Sequence, residues 1–155
     1  MYIAFYKHET REFKDYIYGY LIAYFQKLKG RSNWNYTHVE VYKELEYIEV
    51  WYGATANNGV RKRAKEKVRH RNWDVYKVNM DKLNSDPINW FENELGKGYD
   101  YLGIFLSELI NLDIDNKNRY YCSEAVCEAF NLEKDKMDVA ELFNYLIENN
   151  YIQAV

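Results

Sequence analysis

Strict alternation of apolar and polar residues predicts most of the strands in the chain. Across residues 36–42, Val39 and Val41 fall on one face and polar side chains fall on the other. A second alternating run covers residues 47–51, and the short link between the two runs is typical of a β-hairpin. The full set of predicted strands is 1–7, 36–42, 47–51, from 60 onward, 74–78 and 151–155. We expect the strands from residue 36 to residue 78 to form an antiparallel meander.

Apolar residues at spacings of three and four predict the helices. Capping residues place helix starts at Thr10, Asp86, Asp100 and Asp138. In the first of these helices, the stripe expected to be buried is Phe13, Ile17, Tyr20, Leu21, Tyr24 and Leu28. Together, the pattern predicts an α+β fold in which helices pack on one side of a small, mainly antiparallel sheet.

Length and composition restrict the class of protein. The chain has 155 residues, 48% of them hydrophobic, so we expect residues 1–155 to fold as a single domain. No apolar run reaches the length of a membrane span, and Lys7 and His8 interrupt the early apolar stretch that a signal peptide would need. The two cysteines lie too far apart on one helix to pair, which favours a reducing, cytoplasmic setting. The three histidines lack metal-ligand spacing and no glycine-rich phosphate loop occurs, so no metal or cofactor is expected.

One of the two cysteines, Cys122, lies where a helix is expected to begin. The residues that follow it at helical spacing are Ala125, Val126, Ala129 and Phe130. A thiol at a helix N-terminus faces unpaired backbone N–H groups and the positive end of the helix dipole, and both favour the thiolate. The same N–H groups can hold an oxyanion after the thiolate attacks a carbonyl. The alternative for Cys122 is a buried structural role, which we assign to Cys127 further along the helix.

The predicted hairpin offers a base for this cysteine. If Val39 and Val41 face the core, His38 and Glu49 share the opposite face on adjacent strands, within cross-strand or diagonal reach. A histidine that is oriented by a carboxylate can activate a cysteine. Glu40 lies on the same face and competes for the orienting role. Glu49 is favoured because a partner on the next strand approaches the imidazole from the side.

The order of short motifs along the chain resembles the circularly permuted papain-like hydrolases of the NlpC superfamily, in which the histidine precedes the cysteine. The motifs are Thr-His-Val-Glu-Val-Tyr at 37–42, Ile-Glu-Val at 48–50, Gly-Val-Arg at 59–61, Gly-Tyr-Asp-Tyr at 98–101 and Tyr-Cys-Ser-Glu-Ala-Val at 121–126. The resemblance covers roughly residues 36–130. It implies Cys122 as the nucleophile, His38 as the base and Glu49 as the orienting residue. The Gly-Asp pair that usually opens the family's first strand is missing from residues 1–6.

Two further features bear on substrates and partners. Trp51, Tyr52 and Tyr121 lie close to the candidate residues in sequence and are candidates for binding substrate, although such rings more often serve packing. The run Arg61–Arg71 carries seven Lys and Arg residues against one acid. Such a run can bind phosphate-rich partners, but no pattern for base stacking accompanies it, so nucleic acid is not expected. A solvated strand that discourages aggregation is the favoured interpretation, and we expect the run to be peripheral to catalysis.

These observations predict a cysteine hydrolase. Its substrate would be a peptide, including cell-wall peptides, or another acyl compound. The bond cleaved would be an amide, an ester or a thioester. The alternative is a non-catalytic binding protein on the same fold, which docks an anionic partner through Arg61–Arg71. The complete set of Cys122, His38 and Glu49 favours the enzyme.

Overall fold

The computed structural model describes residues 1–8, 17–66, 72–100, 119–134 and 136–155. The strands in these ranges are β1 (Tyr2–Lys7), β2 (Tyr36–Glu44), β3 (Ile48–Thr55), β4 (Gly59–Glu66), β5 (Trp73–Val78), β6 (Gly98–Tyr99), β7 (Arg119–Tyr120) and β8 (Ile152–Ala154). The helices are α1 (Ile17–Leu28), α2 (Pro87–Glu94), α3 (Cys122–Phe130) and α4 (Val139–Glu148), with a 3-10 turn at Met80–Lys82. The predicted cap Thr10, the predicted helix after Asp100 and the second half of the basic run, residues 67–71, lie outside the described residues.

Six of the strands form one antiparallel sheet in the order β4-β3-β2-β1-β5-β8, and β6 and β7 form a separate parallel pair. The predicted α+β class with a mainly antiparallel sheet is therefore confirmed. The predicted meander holds from β2 to β4 but is wrong for β5, which pairs with β1 and β8 instead of β4. Because β1 lies between β2 and β5, it brings together side chains from strands that are distant in the sequence.

Alternation along the central strands gives this sheet two different faces. One face supplies the main core, which α3 and α4 cover; its fully buried residues include Ile3, Phe5, Val39 and Val41. The other face carries a smaller buried cluster of Ala4, Tyr42 and Trp51. The positions predicted to face the core in β2 therefore do so.

The described helix starts agree with the predicted caps. The Asp86 side chain accepts a hydrogen bond from the Asn89 backbone N–H at 3.2 Å, and Pro87 is the first residue of α2. Asp138 accepts from the Glu141 backbone N–H at 2.7 Å. Each carboxylate satisfies an N–H group that the first helical turn leaves without a partner. None of the helices in the described ranges is long and apolar enough to cross a bilayer.

Helix α1 turns a different face to the core from the one predicted. Tyr20, Tyr24 and Leu28 are each at least 48% exposed. The side chains that α1 buries instead include Ile22, Ala23 and Gln26. The Gln26 amide donates to two backbone carbonyls beside the start of β2, at 2.8 and 2.9 Å, and accepts from a backbone N–H of α4 at 2.8 Å. A glutamine with all these groups paired can be buried, which a search for apolar positions does not detect.

Candidate active site

Cys122 is the first residue of α3, as the sequence predicts. Tyr121 before it is extended, with φ −93° and ψ 168°, and its backbone N–H donates to the Glu124 carboxylate at 3.2 Å. Burial raises the pKa of Glu124 to about 7, and the Tyr121 N–H opposes that shift. Glu124 therefore caps the helix that carries the cysteine.

His38 lies close enough to Cys122 for the two side chains to interact electrostatically. Burial by itself would lower the pKa of His38. The charge and hydrogen bond of Cys122, followed by those of Glu40, outweigh burial and raise the pKa to about 10. The His38 side chain keeps 24% of its surface exposed, whereas Cys122 is fully buried.

The carboxylate that contacts His38 belongs to Glu40. Its Oε1 lies 3.2 Å from His38 Nε2, and its Oε2 accepts a hydrogen bond from Arg63 at 2.5 Å. Arg61 is 3.9 Å from the same Oε1. Burial would raise the pKa of Glu40, but His38 and then Arg63 hold it below its ordinary value. An ionised Glu40 is therefore the group that fixes the orientation of the imidazole.

The predicted contact between His38 and Glu49 is wrong. Glu49 lies opposite Glu44 in the register of the β2–β3 hairpin, six residues along β2 from His38. Six residues of strand correspond to about 20 Å, which no side chain spans. The Glu49 carboxylate instead accepts a hydrogen bond from Trp51 Nε1 at 2.9 Å.

A glycine on β3 makes room for the Glu40 side chain. A Cβ atom at Gly53 would lie 2.7 Å from Glu40 Cγ, which is too close for carbon atoms that are not bonded. Gly53 pairs with Arg61 in the β3–β4 register, so Glu40 crosses β3 at this gap to reach Arg61 and Arg63. Gly53 is therefore a positioning residue that the sequence-based predictions do not include. The available signal was a glycine inside a strand pattern, which indicates close approach of another group.

The three aromatic residues predicted to bind substrate are all buried. Trp51, Tyr52 and Tyr121 are at most 5% exposed. The Trp51 ring stacks on Tyr42 with centroids 4.5 Å apart, and the Tyr52 hydroxyl donates to Glu92 at 2.8 Å on the other face of the sheet. Rings without exposed surface present none to a substrate, so their positions support packing roles and not the predicted binding role.

A different tryptophan lies next to His38. The Trp73 ring centroid is 5.9 Å from that of His38, and Trp73 is partly exposed. Tyr6 of β1 pairs with His38 on one side and with Trp73 on the other, which puts the three residues in a row across the sheet. No local pattern predicts this neighbour, because it depends on β1 inserting between β2 and β5.

Part of the basic run reaches the site. Arg61 and Arg63 of β4 both approach Glu40, so the expectation that the run is peripheral is wrong for these two residues. Alternation along β4 also puts Lys65 on this face, where its Nζ lies 4.3 Å from the centre of the Trp51 ring. The basic strand therefore forms one wall of the region around His38.

The remaining titratable groups among the described residues add no metal centre. Within the described parts of the chain, no three or more His, Cys, Asp and Glu side chains are placed to hold a metal ion. Cys127 is fully buried in the main core. The arrangement thus offers a thiol, an imidazole and a carboxylate connected in that order, which is suited to nucleophilic attack on a carbonyl carbon.

Comparison of the chain with protein-family models, with curated proteins and with solved structures gave no match.

Proposed function

We propose that the protein is a cysteine hydrolase that cleaves an amide, ester or thioester bond through Cys122. The single observation that carries the proposal is the position of His38, which lies within electrostatic reach of Cys122 and is held by Glu40 at 3.2 Å. A lone structural cysteine needs neither a charged imidazole nor a buried carboxylate behind it. Both are costly to bury unless they are paired, and here they are paired with each other.

The chemistry follows from this order of groups. The Cys122 sulfur forms a bond to the carbonyl carbon, and the carbonyl π electrons move to the oxygen, where backbone N–H groups at the start of α3 stabilise the negative charge. When the oxyanion collapses, the bond to the leaving group breaks and the leaving group takes a proton from His38. His38 then removes a proton from water, which hydrolyses the acyl-enzyme to a carboxylic acid and the free thiolate.

Glu40 determines which imidazole nitrogen does this work. Because protonated His38 donates Nε2–H to Glu40, Nδ1 is the nitrogen left to exchange a proton with the thiol and the leaving group. Glu40 also keeps the imidazolium paired with a negative charge when the thiolate is consumed by acylation. It takes the orienting role that the sequence analysis assigned to Glu49.

The order of the histidine strand before the cysteine helix on an α+β frame supports the resemblance to the circularly permuted papain-like hydrolases of the NlpC superfamily. Through that resemblance the proposed substrates are amides in peptides, cell-wall peptides included. Esters and thioesters react by the same steps.

The full burial of Cys122 favours the alternative, a non-catalytic protein that uses the same fold to dock an anionic partner through Arg61–Arg71. A thiol with no exposed surface reaches a substrate only when the surrounding structure opens. The enzyme proposal is preferred because a docking surface on β4 does not require the Cys122–His38 pair.

The proposal is tested by trapping the acyl-enzyme. Incubation with p-nitrophenyl acetate, followed by mass spectrometry of the intact protein and its peptides, should show one acetyl group on Cys122 and release of p-nitrophenol. Cys127→Ala should retain both results and Cys122→Ala should lose both. An acetyl group on Cys127, or none on either cysteine while the fold is intact, would contradict the proposal.

A further inference from the structure

Strand β4 presents three cations on the sheet face that carries Glu40. Arg61, Arg63 and Lys65 occupy alternate positions, so they point to the same side of the strand. The guanidinium side chains of Arg61 and Arg63 are each 31% exposed. Lys62 points to the other side, where its Nζ pairs with Glu92 at 2.7 Å.

Glu40, the carboxylate that faces these cations, already pairs with Arg63 and His38. Glu40 accepts from Arg63 at 2.5 Å and contacts His38 at 3.2 Å, which leaves Arg61 at 3.9 Å, beyond hydrogen-bond distance. The buried Nε atoms of Arg61 and Arg63 have no hydrogen-bond partner among the described residues. Buried donors without partners are rare in folded proteins, so these atoms indicate that the guanidinium groups are not saturated.

The positive charges are also crowded. Burial lowers the pKa of Lys65, and Arg63 and Arg61 lower it further, although Glu40 and Glu49 act in the opposite direction. Like charges held this close favour the binding of an anion between them.

The indole ring of Trp73 lies between the cations of β4 and His38. The Nζ of Lys65 is 5.8 Å from the centre of the Trp73 ring, and that ring is 5.9 Å from the imidazole of His38. The face of Trp73 is therefore an apolar surface between the cations and the catalytic pair. A ligand that rests on it can hold an anionic end at β4 and a carbonyl at the site if a short chain joins the two.

We propose that Arg61 and Lys65 bind an anionic group at the far end of the substrate's acyl chain, so that the preferred substrates are acyl compounds whose acyl chain ends in a carboxylate or a phosphate. The inference rests on the proposed hydrolase function and narrows its substrate class. An arginine fork matches the two oxygens of a carboxylate or phosphate, and a lysine adds a point charge. Arg61 is the main binding residue because Arg63 is committed to Glu40.

Matched esters test the preference. We compare the p-nitrophenyl ester of glutaric acid, which ends in a free carboxylate, with its methyl ester, which is neutral, and with an analogue of the same length that ends in a phosphonate. The wild type should turn over at least one anionic ester with a kcat/KM about tenfold or more above that of the neutral ester, since a hydrogen bond between charged groups has this magnitude. The anionic ester with the higher kcat/KM identifies the preferred terminal group as a carboxylate or a phosphate.

Variants on the two sides of β4 separate binding from nonspecific charge effects. Arg61→Gln should reduce the ratio of anionic to neutral turnover about tenfold, mainly through KM. Lys62→Gln removes the same charge from the opposite side of the strand and should leave the ratio unchanged. Equal turnover of the three esters by the wild type, or an equal effect of the two substitutions, would overturn the inference.

A binding measurement distinguishes failure of this inference from failure of the proposed function. Glutarate and propylphosphonate are titrated by calorimetry into the wild type, Arg61→Gln and Lys62→Gln. At least one of them should bind to the wild type and to Lys62→Gln, and about tenfold more weakly to Arg61→Gln. Binding of this kind without acylation of Cys122 by any ester would leave the anion site standing and overturn the hydrolase. Acylation of Cys122 without anion binding and without a preference for anionic esters would support the hydrolase and overturn the anion site.

Discussion

Replacing Glu40 with glutamine tests the central contact of the site with almost no change in shape. Glutamine keeps the length of the side chain but removes the charge that faces His38, Arg63 and Arg61. The carboxylate is nearly fully buried, so water cannot replace it. The substitution leaves these three half-buried cations without their counter-charge.

The expected size of the effect follows from these contacts. Removing one partner of a buried charge pair costs about 3–5 kcal/mol of stability. Because the cations here keep part of their surface in water, we expect the lower end, about 3 kcal/mol, measured by urea unfolding. The pKa of His38 should fall towards its ordinary value, because one of the two groups that raise it has lost its charge. Hydrolysis of p-nitrophenyl acetate should slow by at least about tenfold, since the imidazole loses the group that fixes its tautomer.

Glu49→Gln is the matched control. Glu49 is as buried as Glu40 and also accepts a hydrogen bond, from Trp51. Its loss should lower stability but leave the pKa of His38, followed by NMR of the imidazole, unchanged. If Glu49→Gln lowers that pKa and the rate while Glu40→Gln does neither, the register-based assignment of the orienting carboxylate is wrong.

Three further predictions concern the frame around the site. Gly53→Ala should displace Glu40, because the new Cβ would lie 2.7 Å from Glu40 Cγ. We expect it to lower stability by about 1–3 kcal/mol in urea unfolding and to slow ester hydrolysis. Unchanged stability and an unchanged rate would show that the gap at Gly53 is not needed. The pKa of Glu40 is held below its ordinary value of 4.5, so its carboxylate stabilises the fold above about that pH and the stabilisation is lost as the pH falls through the lowered pKa. The difference in unfolding free energy between wild type and Glu40→Gln should therefore shrink in acid, and a difference that grows in acid would contradict the sign. Asp138→Ala removes the cap of α4 and the ion pair of Asp138 with Arg31 at 3.0 Å, and should cost about 1 kcal/mol or more without altering hydrolysis by Cys122, as thermal unfolding and the ester assay would show.

The sequence predicted the elements that carry the site because their signals are local. Alternation marked β2 and placed Val39 and Val41 in the core, and a capping residue marked the starts of α2 and α4. Cys122 at the first turn of α3 followed from the apolar spacing behind it. Each of these predictions depends on residues within one or two turns or a single strand.

The errors arise where the answer depends on pairing between elements. The choice between Glu40 and Glu49 depends on the hairpin register, and Glu44 pairs with Glu49, so the turn places Glu49 far from His38. If the turn lies between Glu44 and Glu49, then counting back along β2 from Glu44 puts His38 six residues from the position opposite Glu49. That distance is enough to exclude Glu49 as a partner of His38. The neighbour Trp73 depends on the insertion of β1 between β2 and β5, and no local pattern contains that information.

The stripe predicted for α1 failed for a different physical reason. Three hydrogen bonds compensate for the burial of Gln26. The face of α1 that carries Gln26 is therefore the one that packs against the core, and Tyr20 and Tyr24 are left exposed. A pattern based on apolar residues alone counts a glutamine as surface.

The most direct test of the central claim is the relative rate at which iodoacetamide alkylates the two cysteines. Cys122 and Cys127 are both fully buried, so exposure does not distinguish them. Cys122 differs in lying at the first turn of α3 and next to His38. We predict that Cys122 is labelled first at near-neutral pH, that His38→Ala slows this labelling, and that both cysteines react equally in denaturant. Preferential labelling of Cys127, or equally slow labelling of both cysteines in the folded protein, would contradict the account.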